Sequence, residues 1–197
     1  MESVFRRTVK KKSKHSVNYV PLVNNFVTDP ETYSAAGVAF TNGRHVLAGY
    51  QPHKKHPSIS GIGGSKEDGE SYMETALREC VEELFEPLSI PKTLLTKLAS
   101  VAPQKVIQTG SYINVVYTFD DLEAMLKQIK RSGLVSPLYM AFPKTLTELI
   151  MNRIPAKSLG PEKAVEISHL ALLPVVTHAA DTLMDPYFMA DMPSFTY

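Results

Sequence analysis

Apolar positions along this chain recur with two periods, and their alternation predicts the order of its elements. Met73, Ala76, Leu77, Cys80 and Leu84 step by three and four residues, the spacing of one helix face. Ser71 with Glu74 three residues later forms a capping box, so the helix begins just after Ser71. Upstream, residues 35–40 read as a buried strand, Thr41-Asn42-Gly43 as a hairpin turn and residues 45–50 as its partner. Residues 51–58 form a polar loop, and 59–62 lead into Gly63-Gly64. Downstream, 98–106 predicts a strand interrupted at Pro103, and 112–119, rich in β-branched and aromatic residues, predicts another. Helical patterns follow at 121–129 and 146–154, separated by Gly133, Pro137 and Pro143. Residues 165–173 return as a strand that Pro174 stops. From Asp181 onward the chain is rich in Met, Pro and aromatics and shows no period. Strands before and after helices, at this length, predict an α/β fold with a mixed sheet between helical layers.

The polar face of the helix after Ser71 carries the chemistry. Glu79, Glu82 and Glu83 are related by three- and four-residue steps and share one side. Like charges on adjacent turns repel and cost helix stability, and a helix with a purely structural role would intersperse lysines. Hard carboxylate oxygens at this spacing suit a divalent cation such as Mg²⁺ or Mn²⁺. Arg78, on the same helix, is in reach of Glu74 or Glu82 at four-residue spacing.

The segment 64–86 resembles the Nudix box, G-x5-E-x7-R-E-U-x-E-E-x-G-U, where U is a bulky aliphatic. Gly64, Glu70, Arg78, Glu79, Glu82 and Glu83 stand where that pattern requires them. Cys80 takes an aliphatic position. Phe85 replaces the last glycine and Glu86 the last aliphatic, which alters the loop leaving the helix, since Phe does not enter the left-handed region cheaply as Gly does. The resemblance implies a Nudix α/β/α sandwich with a mixed β-sheet. It also implies hydrolysis of a diphosphate bond, with Glu79 and Glu83 as main metal ligands and Glu82 as a ligand or base. The Gly63 carbonyl is implied as a further ligand, and Glu70 and Arg78 as an ion pair bracing loop to helix.

Composition narrows the setting. The chain of 197 residues is 44% hydrophobic, enough for one core with some length left for additions. It has no run of about 18 apolar residues that would span a membrane, and its N-terminus shows no secretory apolar region. A single cysteine, Cys80, excludes an internal disulfide framework and suits a reducing compartment; its place on the apolar face makes it a packing residue. The expected location is cytoplasmic, with the nucleus as the alternative. Arg6, Arg7, Lys10, Lys11, Lys12 and Lys14 against Glu2 give residues 1–14 a net charge of +5, while the remaining 15 basic and 19 acidic side chains give −4. A basic arm on a mildly acidic body points to a polyanionic partner, the alternative being a solvated terminus that aids solubility. The resemblance implies a division into an arm and lead-in at 1–32, a Nudix-like domain at 33–180 with a helical insertion at 120–163, and a C-terminal tail at 181–197.

Further site residues follow from position. Lys54 and Lys55, in the loop before the motif, are placed to meet substrate phosphates as point charges. Glu166, in Glu166-Ile-Ser-His-Leu-Ala-Leu-Leu-Pro174, resembles the acidic residue beside the last strand that is a candidate base in mRNA-decapping Nudix members, with Glu162 its nearest competitor. The basic arm and the insertion resemble the layout of decapping Nudix enzymes of large DNA viruses, which release m7GDP. That resemblance implies capped RNA as substrate and the arm as its RNA contact. The alternative substrates are a nucleotide, a dinucleoside polyphosphate or a diphosphoinositol polyphosphate. A non-catalytic RNA-binding Nudix module is the reading outside enzymology, and the intact box glutamates argue against it.

Overall fold

The computed structural model describes residues 33–155, 165–176 and 183–196. Arg6, Arg7, Lys10, Lys11, Lys12, Lys14 and Glu162 lie outside them. The elements in order are β1 (Ala35–Thr41), β2 (His45–Gln51), β3 (Ser58–Ser60), β4 (Ile62–Ser65), α1 (Tyr72–Phe85), α2 (Lys92–Ala99), β5 (Lys105–Thr109), β6 (Tyr112–Thr118), α3 (Phe119–Arg131), α4 (Leu146–Met151), β7 (His169–Pro174), α5 (Pro186–Asp191) and a short 3-10 turn (Met192–Phe195). The seven strands form one mixed sheet. β1 runs parallel to β6 and antiparallel to β4, and β2 runs antiparallel to β3 and β7. β1 and β2 pair directly only at Thr41 and Val46 beside their turn, where Asn42 Oδ1 accepts the N–H groups of Arg44 and His45. The two strands then splay, which admits β4 against β1.

Side chains alternate across this sheet, as the pleat requires. Val38, Phe40, Leu47, Val115 and Tyr117 pack beneath α1, α2 and α3. Ala39, Val46, Ala48 and Val116 face the opposite way, against Val175, Met184, Phe188, Met192 and Phe195. Apolar layers on both faces make an α/β/α arrangement. No helix among the described residues is long and apolar enough to cross a membrane.

Four expectations need correction. The strand expected over 98–106 is the end of α2 and the start of β5: Leu94, Leu95 and Leu98 are buried at helical spacing, and pairing with β6 begins only past Pro103, at Gln104. The strand expected from 165 begins at His169, although Val165 and Ile167 are already buried and Ser168 N–H donates to Tyr50 O. α4 stops at Met151, three residues short, because Ile154 N–H turns to Leu138 O. The aperiodic stretch after 183 folds as α5 and its 3-10 turn; Asp185 caps α5 by accepting from Tyr187 and Phe188, and Phe188, Met192 and Phe195 fill the second core. Short amphipathic elements of six and four residues carry too little period to be read from sequence.

The C-terminus of α1 is held by residues between α3 and β7. α1 has no basic residue in its last turn, and its last carbonyls need partners. Buried Arg153 donates through Nη1 to Leu84 O at 2.7 Å and through Nη2 to Glu83 O at 3.1 Å and Ile167 O at 2.7 Å. Ser136 Oγ donates to Phe85 O, and Glu86 N–H to Glu82 O. Replacing Arg153 with Met should therefore cost about 3 kcal/mol of stability, since buried carbonyls lose their donors. Urea unfolding checks this, and Arg153→Lys should not rescue it, because one ammonium does not span all three acceptors.

Candidate active site

α1 starts as its capping box dictates: Ser71 Oγ accepts from Glu74 N–H and the Glu74 carboxylate accepts from Ser71 N–H. Glu74 is thereby occupied and does not pair with Arg78. Arg78 donates through Nε to Glu70 Oε1 at 2.6 Å and through Nη2 to Glu70 Oε2 at 3.0 Å and Ser65 O at 2.8 Å. Its Nη1 reaches Glu79 at 2.7 Å and Glu82 at 3.1 Å. The resemblance-derived pair with Glu70 and the intrahelical pair with Glu82 thus coexist on one guanidinium. Glu70, with no exposed side-chain surface, also accepts from Thr75 Oγ1 and Glu67 N–H. Burial alone would raise its pKa, but the Arg78 and Glu67 hydrogen bonds hold it below the ordinary value.

Glu83 faces the sheet. Its Oε2 accepts Gly63 N–H at 2.9 Å and its Oε1 accepts Gln51 Nε2 at 3.1 Å, so strands β4 and β2 both fix it. Burial, with the nearby charges of Glu166 and Glu79, pushes the Glu83 pKa well up against the pull of the Gly63 N–H and Lys54. Burial also raises Glu79, despite Arg78, with Glu82 and Glu166 adding to the rise. Cys80 is buried and its thiol is pushed up by burial and then by Glu83, which leaves it a packing residue.

The glycines matter here for clearance. A Cβ at Gly64 would sit 2.5 Å from the Glu79 carboxyl carbon, and one at Gly63 would strike the Tyr112 hydroxyl and the backbone of β1. Strand β4 therefore lies flush against α1's acidic face. Sequence reasoning missed Gln51, Tyr112 and Arg153. Tyr112, whose hydroxyl is held protonated by burial and the field of Glu83 and Glu79, offered only a strand position; nothing local marks Gln51 or Arg153 as site residues.

The acidic side chains do not converge. Among the described residues no three His, Cys, Asp or Glu groups form a metal-binding cluster, because Arg78 draws Glu79 and Glu82 while Glu83 turns to the strands. Lys54 and Lys55 lie in the exposed β2–β3 loop and line, with His56, Met184 and Asp185, an open cleft of ≈480 Å³; Lys54 is near enough for its charge to act on Glu83. Glu166 is exposed, and its charge acts on Glu79 and Glu83.

No family model and no curated protein matches the chain. Solved structures that it matches include a hydrolase of the NUDIX family from Clostridium perfringens, 14% identical, with TM-score 0.36 over 84% of this chain and 97% of that one. Another is a NUDIX hydrolase from Nitrosomonas europaea, 11% identical, with TM-score 0.32 over 72% of each chain. A third is a bifunctional NMN adenylyltransferase/ADP ribose pyrophosphatase from Francisella tularensis, complexed with AMP and a Mn ion. It is 18% identical, with TM-score 0.32 over 47% of this chain, which spans 28% of that protein's chain.

Buried Glu83 and Glu70 should respond oppositely to pH. Glu83, raised in the fold, destabilises the protein as pH climbs from the ordinary 4.5 through its folded value. Glu83→Gln should raise the urea midpoint at pH 7 in EDTA and flatten that decline. Glu70, lowered in the fold, contributes stability above 4.5 that fades as pH falls through its folded value. Glu70→Gln should lower the midpoint at pH 7, reflecting a stability loss of about 3 kcal/mol for breaking a buried pair. Urea titrations from pH 4 to 8 check both signs.

Proposed function

We propose that this chain is a metal-dependent pyrophosphohydrolase that cleaves a nucleoside diphosphate linked to another moiety. The observation that carries this reading is the carboxylate row Glu79, Glu82 and Glu83, docked on Gly63-Gly64 and braced by the Arg78–Glu70 pair. The donor set fits a hard divalent cation: it is all oxygen, two of its members are raised in pKa with like charges among the causes, and Gln51 Oε1 beside Glu83 is buried without a partner among the described residues. Glu79, Glu82 and Glu83, with the Gly63 carbonyl, would hold Mg²⁺ or Mn²⁺. When bound, the ion neutralises charge on the diphosphate and lowers the pKa of water.

The chain's own groups supply the rest. Lys54 and Lys55 bind phosphate oxygens at the mouth of the cleft. Glu166 accepts the proton of the attacking water at its carboxylate, and Glu82, the most exposed of the three helix acids at 31%, remains a ligand or the alternative base. Arg78 and Glu70 hold the acids in place without touching substrate. Capped RNA is the best substrate for this reading, because the +5 arm suits a long polyanion; dinucleoside polyphosphates, nucleotides and diphosphoinositol polyphosphates are the competitors.

Purified protein with Mn²⁺ or Mg²⁺ should release m7GDP from capped RNA, identified by chromatography beside the competing substrates. Glu82→Gln and Glu83→Gln should each lower the rate by about 10²-fold or more with the fold retained. Full activity in excess EDTA, or in the Glu83→Gln protein, would refute the proposal. Glu166→Gln should lower kcat with KM little changed. Deleting residues 1–14 should flatten the salt dependence of RNA binding by roughly 0.7 per lost phosphate contact on a log–log plot, while free cap analogue turns over as before. An unchanged slope would favour a small-molecule substrate.

A further inference from the structure

α1 ends without the glycine that its motif leads one to expect, and the replacement is not silent. Phe85 stays helical and buried, and Glu86 takes the left-handed turn at φ 43° and ψ 51°. It is the one non-glycine residue with positive φ among the described residues. A side chain is disfavoured in that region, and such strain persists where surrounding structure and function require it. The Glu86 carboxylate meets the chain 80 residues away: its Oε1 accepts the backbone N–H of Glu166 at 2.7 Å. One residue on, Ile167 O accepts from Arg153, which also holds the carbonyls of Glu83 and Leu84. The 166–167 segment is thus tied to the end of α1 at two adjacent points, beside the acidic face.

We propose that Glu86 is a positioning residue whose left-handed backbone presents its carboxylate to the Glu166 N–H and so holds Glu166 against the Glu79–Glu83 face. The consequence for catalysis rests on the reading of Glu166 as base given above; the positioning itself does not. Glycine at 86 relieves the backbone and removes the acceptor, whereas glutamine keeps a carbonyl acceptor at the same reach. Arg153 continues to hold Ile167 in both variants, so the helix end survives.

The test uses the full chain and two readouts. In Glu86→Gly, the Glu166 amide should exchange hydrogen about tenfold faster than in wild type, with thermal stability no lower, and Glu86→Gln should restore the slow exchange. On capped RNA with Mn²⁺, or on a dinucleoside polyphosphate if capped RNA is not cleaved, kcat of Glu86→Gly should fall about tenfold at unchanged KM. Glutamine should restore most of it, and Glu86→Gly should add nothing in a Glu166→Gln background. Unchanged exchange in Glu86→Gly would overturn the proposal, as would an equal loss of kcat in both backgrounds. Full kcat in Glu166→Gln would refute the base assignment alone, and the exchange result would still decide the role of Glu86.

Discussion

The Arg78 guanidinium is the joint on which the site depends. Its fork spans Glu70 with two nitrogens, takes the Ser65 carbonyl at the end of β4, and reaches Glu79 and Glu82 with the third. A point charge would not tie a loop, a strand and a helix face together in fixed orientation; a planar donor set does. Burial of this pair is costly unless every lone pair is satisfied, and Glu70 meets that condition through Thr75 and Glu67. The strand that Arg78 grips is the one whose glycines let α1's acids approach.

The other end of α1 is secured by chain remote in sequence. Arg153 and Ser136, both between α3 and β7, satisfy its last carbonyls. The chain between α3 and β7 is therefore part of the scaffold that holds the end of α1. The Phe85-Glu86 departure from the motif fits this arrangement: Phe85 packs against Phe142 at 4.9 Å between ring centroids, and Glu86 spends its unfavourable backbone on a contact with the segment that carries Glu166.

Much of this was legible in the sequence where the signal was local. The capping box, the helix period and the glutamate register each sit within one helix, and the Thr41-Asn42-Gly43 turn sits within one hairpin. Glu70 and Arg78 are eight residues apart, and only the motif marked them as partners. Long-range partners left no such mark. Arg153 looks like any charged residue at the end of a short helix, and Gln51 like the first residue of a polar loop; their roles arise from backbone carbonyls and a carboxylate brought together by the fold. α2 was misread because Leu94, Leu95 and Leu98 occupy barely two turns between prolines. A shared helix face does not fix rotamers, so the contacts that Arg78 makes with Glu79 and Glu82 are not legible from spacing alone.

The most direct test of the account is Mn²⁺ binding by electron paramagnetic resonance in wild type and in Arg78→Lys. Wild type should bind Mn²⁺ saturably, and Arg78→Lys should bind it at least about tenfold more weakly at unchanged circular dichroism, since lysine keeps the charge and loses the fork. Absence of saturable Mn²⁺ binding in wild type, or equal affinity in the two proteins, would contradict it.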